Sequence, residues 1–396
     1  MSANDDHDWR VTVRPTATTL SPRRDTVVAF DLEGRPTSLF AGGDTFKRSL
    51  ASELYGRRSE GGARRRWRVP CDRAADLLER SLTIAADARS AVQRGERLPG
   101  AAGAAAEAAL AQRLDTVLGW TPDLLLDERR RFLDAYAPIA ILPPDQYGAV
   151  VLQATFGCSW NRCSYCTFYQ DRPFQVRPIA AFREHVGAVR DLLGRAAAGR
   201  TGIFLADGNA LVLSNDRLQP IFDTATAAFP GRPVAGFVDV FSGERKTADD
   251  WRELRAWGLR RVAIGVETGS DALLAYLNKP GGASEAAAFV ALLKEAGLDV
   301  SVILMVGVGG RRFAADHVQQ SATLLTRLPL TGSDLIYLSP FVRQHDSAYA
   351  DRAAADGLHD LTQAELAAQD RALRDAARAA LPATKVARYH IDEFVY

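Results

Sequence analysis

The pattern of apolar and polar positions changes character at Pro143-Pro144. Beyond it, short apolar runs alternate with amphipathic stretches. Ala149–Thr155, Gly202–Ala206, Val234–Val238, Arg261–Val266, Val300–Val306 and Asp334–Leu338 read as six strands. The first helix between them carries Phe182, Val186, Val189 and Leu193 on one stripe and ends at Gly194. The third opens at Thr247 with Asp250 three residues on, a short-armed capping box, and a later one runs from about Ser284 to Ala296 and stops at Gly297. Six consecutive strand and helix units, with right-handed crossovers, predict an α/β fold: a partial (β/α)6 TIM barrel over residues 145–342, three-quarters of an eight-stranded barrel.

Before Pro143 the pattern differs. Residues 1–25 mix Asp, Thr, Ser, Pro and Arg without a sustained period and are expected to form a flexible arm. Thr26–Asp31 and Thr37–Ala41 are strand-like runs about a Glu33-Gly34 turn, which predicts a hairpin. Helical spacing then appears from Asp72, over Ala104–Leu118 and over Pro122–Tyr136, so residues 26–144 read as a hairpin plus an N-terminal α-helical accessory domain. Residues 343–396 read as a C-terminal helical extension and an aromatic tail. The last eight residues hold three aromatics with Ile391 and Val395, so the tail is expected to dock on an apolar surface, either over the barrel, bringing His390, Asp392 or Glu393 near the reaction, or on the outer helices or in a dimer interface.

Composition narrows the class. The 396 residues are 47% hydrophobic and 24% charged, as in a soluble globular protein. No run of about 18 apolar residues supports a membrane span, and the acidic, polar start lacks the features of a secretory signal. A cytoplasmic, reducing location is expected, with cysteines serving as ligands. A formal net charge of +1 gives no overall footprint for nucleic acid. Arg57 to Arg68 is the local exception, with six arginines against one glutamate; a solvated loop is the expectation there, an RNA contact the alternative.

Three of the four cysteines, Cys158, Cys163 and Cys166, stand in a C-x4-C-x2-C spacing directly after the first barrel strand. Thiolates this close, with Gly157 allowing a sharp turn before them, can converge on one inorganic centre. A structural zinc site normally takes four protein ligands, whereas a cluster held by three leaves one iron open. A zinc knuckle completed by Cys71 or a histidine, or three unligated thiols, is the competing reading. Cys71, with no ligand spacing around it, is expected to be a buried small residue. Other unusual groups also fall at strand ends: Asp207-Gly208-Asn209 after the second, Glu267-Thr268 after the fourth and Gly307 after the fifth. In such folds chemistry gathers at that rim.

The cysteine motif resembles that of the radical S-adenosylmethionine (SAM) superfamily, whose commonest spacing is C-x3-C-x2-C. Here the first gap is one residue longer, while Cys163-Ser-Tyr-Cys166, with aromatic Tyr165, keeps the usual form. Gly-Cys-Ser-Trp-Asn-Arg-Cys looks like a bacterial and archaeal group related to methylthiotransferase- and elongator-like radical SAM domains. The resemblance implies a [4Fe-4S] cluster on the three cysteines, with SAM on the fourth iron. It implies that Asp207, Gly208 and Asn209 meet the methionine ammonium, with Asn209 where an acid is usual and Asp207 as the substitute charge. It implies that Glu267, with Thr268 beside it, accepts from the ribose hydroxyls and that Tyr165, Gly307 and Leu338 enclose the adenine.

The same resemblance implies a low-potential electron donor of flavodoxin or ferredoxin type, oxygen sensitivity, and hydrogen abstraction by a 5′-deoxyadenosyl radical from a small-molecule or protein-bound substrate in biosynthesis. One remaining cysteine cannot hold a second cluster, which counts against sulfur insertion. An RNA-modifying enzyme is the alternative, and a non-catalytic iron-sulfur electron carrier or sensor the third reading.

Overall fold

The computed structural model describes residues 9–60, 63–101, 103–391 and 395–396. The chain divides into two compact units. One comprises the chain up to Pro138 with Ala188–Arg200 and Val395–Tyr396; the other comprises Ile139–Gly187 and the chain from Thr201 to Ile391.

The first unit begins with a seven-stranded antiparallel sheet whose strands lie side by side in chain order: β1 (Arg10–Arg14), β2 (Ala17–Arg23), β3 (Thr26–Phe30), β4 (Pro36–Ala41), β5 (Asp44–Arg48), β6 (Leu54–Glu60) and β7 (Ala63–Arg68). The expected hairpin is therefore one pair of a larger meander, with Ala29 opposite Ser38. The expected arm is replaced over Arg10–Arg23 by two strands. Their threonines and arginines disguise a period of two, in which Val11, Thr18 and Leu20 are buried and their neighbours face outward. The arginine-rich stretch is likewise the β6–β7 hairpin and not a loop: Arg58 pairs with Asp44 at 2.6 Å, Arg68 with Glu53 at 2.7 Å, and Arg66 lies over the Tyr55 ring.

Against this sheet lie α1 (Cys71–Gln93) and α2 (Ala104–Val117), followed by α3 (Pro122–Ala135). Their apolar faces join Leu20, Val28, Phe30 and Phe46 in one core. Cys71 opens α1 and is exposed, not buried, because the first turn of that helix projects polar residues. Glu128 of α3 sits buried between Arg35 and Arg48, 3.2 Å from each. The two buried cations share one carboxylate, and Arg35 also reaches Asp31 and the carbonyls of Leu192 and Leu193. Tyr396 docks in this unit, its ring edge-on to Tyr136 at 5.9 Å.

The second unit is an α/β partial barrel. After β8 (Val150–Gln153), a short ladder joins β9 (Thr155–Phe156) to β10 (Gln175–Val176), and α4 (Ile179–Leu193) follows. Then come β11 (Ile203–Ala206), α5 (Asn215–Ala228), β12 (Val234–Phe237), α6 (Val240–Gly243), α7 (Ala248–Ala256) and β13 (Leu259–Glu267). The chain continues through α8 (Asp271–Tyr276), α9 (Ala283–Glu295), β14 (Asp299–Val306), α10 (Gly310–Leu325) and β15 (Leu335–Pro340). Helices α11 (Ala348–Ala355) and α12 (Gln363–Ala380) lead to β16 (Lys385–Arg388).

Strands β8 and β11 to β16 form one parallel sheet in chain order. Their continuous apolar runs follow from burial on both faces, as β8 and β11 show at every position. The expected capping box of Thr247 and Asp250 starts α7, and the stripe of α4 is buried as its period requires. The sheet has one strand more than the six expected: part of the C-terminal extension, Lys385–Arg388, pairs with β15 as an edge strand, Leu335 opposite Lys385. Two apolar residues, Val386 and Ala387, between two charged ones are too short a run to give a strand signature. Among the described residues, no helix is long and apolar enough to cross a membrane.

Candidate active site at the cysteine loop

The β9–β10 ladder draws together the two ends of the loop that holds the cysteines. Gly157 enters it at φ +70, and a Cβ there would press on the carbonyl oxygens of Pro173 and Arg172 at 3.0 to 3.1 Å. Inside the loop, Asn161 donates to the Tyr169 carbonyl at 2.7 Å and the Cys166 amide to the Cys163 carbonyl at 3.2 Å. Its outer part is stitched to the segment after α8. The Ser164 amide donates to Leu277, the Trp160 indole to the Asn278 carbonyl, and the Asn278 amide group back to the Arg162 carbonyl, all within 2.7 to 2.9 Å.

The loop so fixed turns Cys158, Cys163 and Cys166 onto the wall of one cavity of about 210 Å³. Much of the remaining wall is apolar, with Phe168, Phe237, Ile303, Met305 and Phe341; Asp239, Glu267 and Lys279 bring charge. Burial pushes the Cys163 thiol up to about 12 despite nearby Lys279, and raises Cys166 as well. Any metal bound here therefore displaces protons. Among the described residues no histidine lines the cavity, and no three His, Cys, Asp or Glu side chains are grouped to hold a single metal ion. Three thiols on one wall with no histidine beside them suit a cluster, in which each thiolate binds its own iron and one iron stays open, better than a zinc site closed by four protein ligands.

Glu267 closes β13. A bulge at Gly265–Glu267 and a left-handed backbone, φ +66, mark its position, and a Cβ on Gly265 would collide with its carboxylate. Tyr165 donates to that carboxylate at 3.0 Å and Lys279 stands 3.3 Å away. Burial works against the charge on Lys279, but Glu267, Cys163 and Asp239 around it prevail and hold the ammonium above its usual range. Tyr165, buried beside Glu267, is held well above the usual phenol range.

The turn after Glu267 is clamped by α10. Thr268 meets His317 Nδ1 at 2.7 Å, His317 Nε2 meets the Met305 carbonyl at 2.9 Å, the Gly269 amide donates to Ser321, and the Ser270 hydroxyl donates to Asp316. The Met305 carbonyl only accepts, so Nε2 carries the proton and Nδ1 accepts from Thr268. Burial holds His317 down to about 4. The unfolded chain takes up this proton near pH 6.5 and the folded one only near pH 4, so stability is lost as pH falls through that window, by about 3 kcal/mol. Urea titrations at pH 7 and 4.5 should show His317→Gln losing correspondingly less than the wild type; equal losses would refute the assignment.

The three residues after β11 divide. Gly208 lines the cavity, its amide donating to the Gly157 carbonyl at 3.2 Å; a Cβ there would strike the Tyr169 ring. Asp207 turns away from the wall, accepting from the Gly157 amide at 3.4 Å and facing Arg172 at 3.6 Å, and burial raises it to about 6. Asn209, 1% exposed, donates to Ser159, Asp239 and Ser242, while its Oδ1 has no hydrogen-bond partner. The carboxylate beside Asn209 that lines the cavity is thus Asp239, from the end of β12, and not Asp207. Sequence reading missed Asp239, Lys279 and His317; only the position of Asp239 just beyond a strand end was a signal.

Asn209, Thr268, Gly307 and Leu338 are off the wall. Leu338 pairs with Leu304, on the sheet face opposite to Ile303 and Met305, so Ser339 and Pro340 take the place expected for it. Gly307 donates to Gln369 at 2.6 Å, and a Cβ there would press on Leu366, so it serves the packing of α12. The tail does reach the cavity: Tyr389 and Ile391 line it, with the Tyr389 hydroxyl on the Leu142 carbonyl at 2.7 Å. His390 is not on the wall, and Asp392 and Glu393 lie outside the described residues.

Residues 152–315 match the family model of the Radical SAM superfamily. A comparison with curated protein sequences finds no match. Among solved structures, coproporphyrinogen III oxidase (HemN) from Escherichia coli, a radical SAM enzyme, is 16% identical with a TM-score of 0.41, covering 63% of this chain and 54% of its own. Methylornithine synthase (PylB) is 14% identical with a TM-score of 0.42, over 60% and 65%. The radical SAM methyltransferase TsrM from Kitasatospora setae is 17% identical with a TM-score of 0.36, over 49% and 36%. The chain thus spans between about a third and two-thirds of these proteins.

Proposed function

The chain carries a radical SAM domain over residues 152–315, the domain of enzymes that use a [4Fe-4S] cluster and SAM, and from that premise we propose that Cys158, Cys163 and Cys166 hold the cluster of a hydrogen-abstracting enzyme. When bound, the cluster supplies the electron that cleaves SAM to methionine and a 5′-deoxyadenosyl radical. The observation that carries the reading is the cavity itself: three thiols of one loop share a wall with Asp239 and with the fixed carboxylate of Glu267.

Each chain residue then has a task that its surroundings suit. Asp239, whose carboxylate is on the wall, supplies the charge that a methionine ammonium would meet, and Asn209, bonded to Asp239 behind the wall, holds that carboxylate in place. Glu267 accepts from a diol, with Lys279 and Tyr165 fixing its carboxylate. Ile303, Met305, Phe341 and Tyr389 keep the wall apolar and exclude water, which a reactive radical requires. The substrate fitting such a wall presents a saturated, apolar C–H segment, on a small molecule or a protein-bound group. The arginines of β6 and β7 do not favour an RNA substrate: of these, Arg58 and Arg68 are ion-paired and Arg66 is stacked on Tyr55.

Anaerobic reconstitution followed by reduction with dithionite and addition of SAM tests this. Four irons per chain and a slow release of 5′-deoxyadenosine are expected without any substrate. Stoichiometric zinc with no iron, or S-adenosylhomocysteine as the sole product, would overturn it.

A further inference from the structure

The outer face of the cysteine loop carries a row of four side chains that the cavity does not use. Trp160, between Cys158 and Cys163 in the chain, lies with its ring 6.0 Å from that of Phe241 at the start of α6. The Arg162 guanidinium lies 5.5 Å from the Trp160 ring centre, and that of Arg245 lies 5.1 Å from the Phe241 ring centre. The order in space is cation, indole, phenyl, cation. Phe241 is 40% exposed, among the most exposed large apolar side chains of the described residues, and both arginines are exposed.

Two properties separate this row from an ordinary arginine-rich surface. Many of the chain's arginines are engaged by carboxylates, but among the described residues neither Arg162 nor Arg245 has an ion-pair partner; Glu244, next to Arg245 in sequence, pairs with neither. The row is also held in place, because the Trp160 indole and the Arg162 carbonyl are both bonded to Asn278. None of the four side chains lines the cavity, so they serve neither the SAM pocket nor the substrate wall. A rigid apolar spot between two unpaired cations complements a protein surface with carboxylates around an apolar patch.

The reading of the cavity as a radical SAM site, on which this inference rests, needs an electron from outside the chain. We propose that the Arg162–Trp160–Phe241–Arg245 row docks an acidic one-electron donor protein of the ferredoxin class. One electron leaves the donor's reduced iron-sulfur centre and reduces the cluster behind the loop by one; no proton moves and no bond in this chain forms or breaks. Trp160 and Arg162 lie within the C-x4-C interval itself, so docking there brings the donor against the backbone that holds the cluster.

Reconstituted wild type and R162E/R245E are compared with two reductants, dithionite and a reduced bacterial ferredoxin. Readouts are the growth of the reduced-cluster electron paramagnetic resonance signal and calorimetric titration of oxidised ferredoxin at low and high salt. With ferredoxin at low salt the variant should be slower by about tenfold or more and bind correspondingly more weakly, and the gap should close at high salt. With dithionite the two should be equal. R162Q/R245Q, with a smaller effect in the same direction, serves if charge reversal impairs folding. Equal ferredoxin rates and affinities in variant and wild type overturn the proposal alone, as does a variant equally slow with dithionite. Loss of salt-dependent RNA binding with ferredoxin reduction unchanged would overturn it in favour of a nucleic-acid surface. A wild type that takes up no iron overturns the cavity reading first, and this inference with it.

Discussion

Replacing Cys163 by alanine should reduce the iron bound after reconstitution to background and abolish detectable 5′-deoxyadenosine release. Each thiolate of such a cluster holds a separate iron, and among the described residues no histidine, and no cysteine besides these three, lines the cavity to take its place. Cys158→Ala and Cys166→Ala should behave alike, whereas Cys71→Ala, at an exposed position in the first unit, should bind as much iron as the wild type. The buried thiols add a pH dependence. Burial holds Cys163 protonated up to about 12, so cluster assembly must release its proton and should become more favourable as pH rises across the neutral range. Iron content in Cys163→Ala equal to the wild type, measured with the absorbance of the cluster, would remove the loop from any role in metal binding.

How much of this was legible in the sequence depended on whether a local period or spacing carried it. The barrel strands were legible because strands covered on both faces read as unbroken apolar runs, as at Val150–Gln153 and Ile203–Ala206. The cysteine loop was legible because its chemistry lies within nine residues. The N-terminal meander was largely hidden: a sheet covered on one face needs only alternate apolar positions, and threonine and arginine fill the others in β2 and β7. Strand β16 was hidden because an edge strand needs only the four-residue run Lys385–Arg388, in which Val386 and Ala387 alone are apolar.

Misassigned site residues failed for a different reason. Asp207 and Asp239 are both strand-end acids, and nothing local tells which one faces the cavity; the hydrogen bonds to Gly157 and to Asn209 decide it, and they join positions 50 and 30 residues apart. Leu338 was assigned to the right strand and the wrong face, since a register of two cannot be fixed in a run that is buried on both sides. Lys279, in a polar turn after α8, looks like any solvated lysine until Glu267 and Cys163 are folded around it.

That buried lysine carries the second large effect. Its side chain stands 3.3 Å from the Glu267 carboxylate, and the two are only 12% and 10% exposed. Breaking such a pair on one side leaves the other charge buried without compensation, a cost of about 3 to 5 kcal/mol. In Lys279→Met the carboxylate should therefore leave its position, and Glu267 would no longer accept from a ribose diol. SAM affinity should fall by about a hundredfold or more, with iron content retained, because Lys279 is not a ligand. The double variant K279M/E267Q separates positioning from simple destabilisation. Removing both charges restores a neutral, hydrogen-bonding site, so denaturation midpoints should return toward the wild type while SAM binding stays weak. If the single variant binds SAM as the wild type does, measured by calorimetry on the reconstituted protein, Glu267 does not hold the nucleoside. If instead the double variant recovers both stability and SAM affinity, the ion pair serves folding alone.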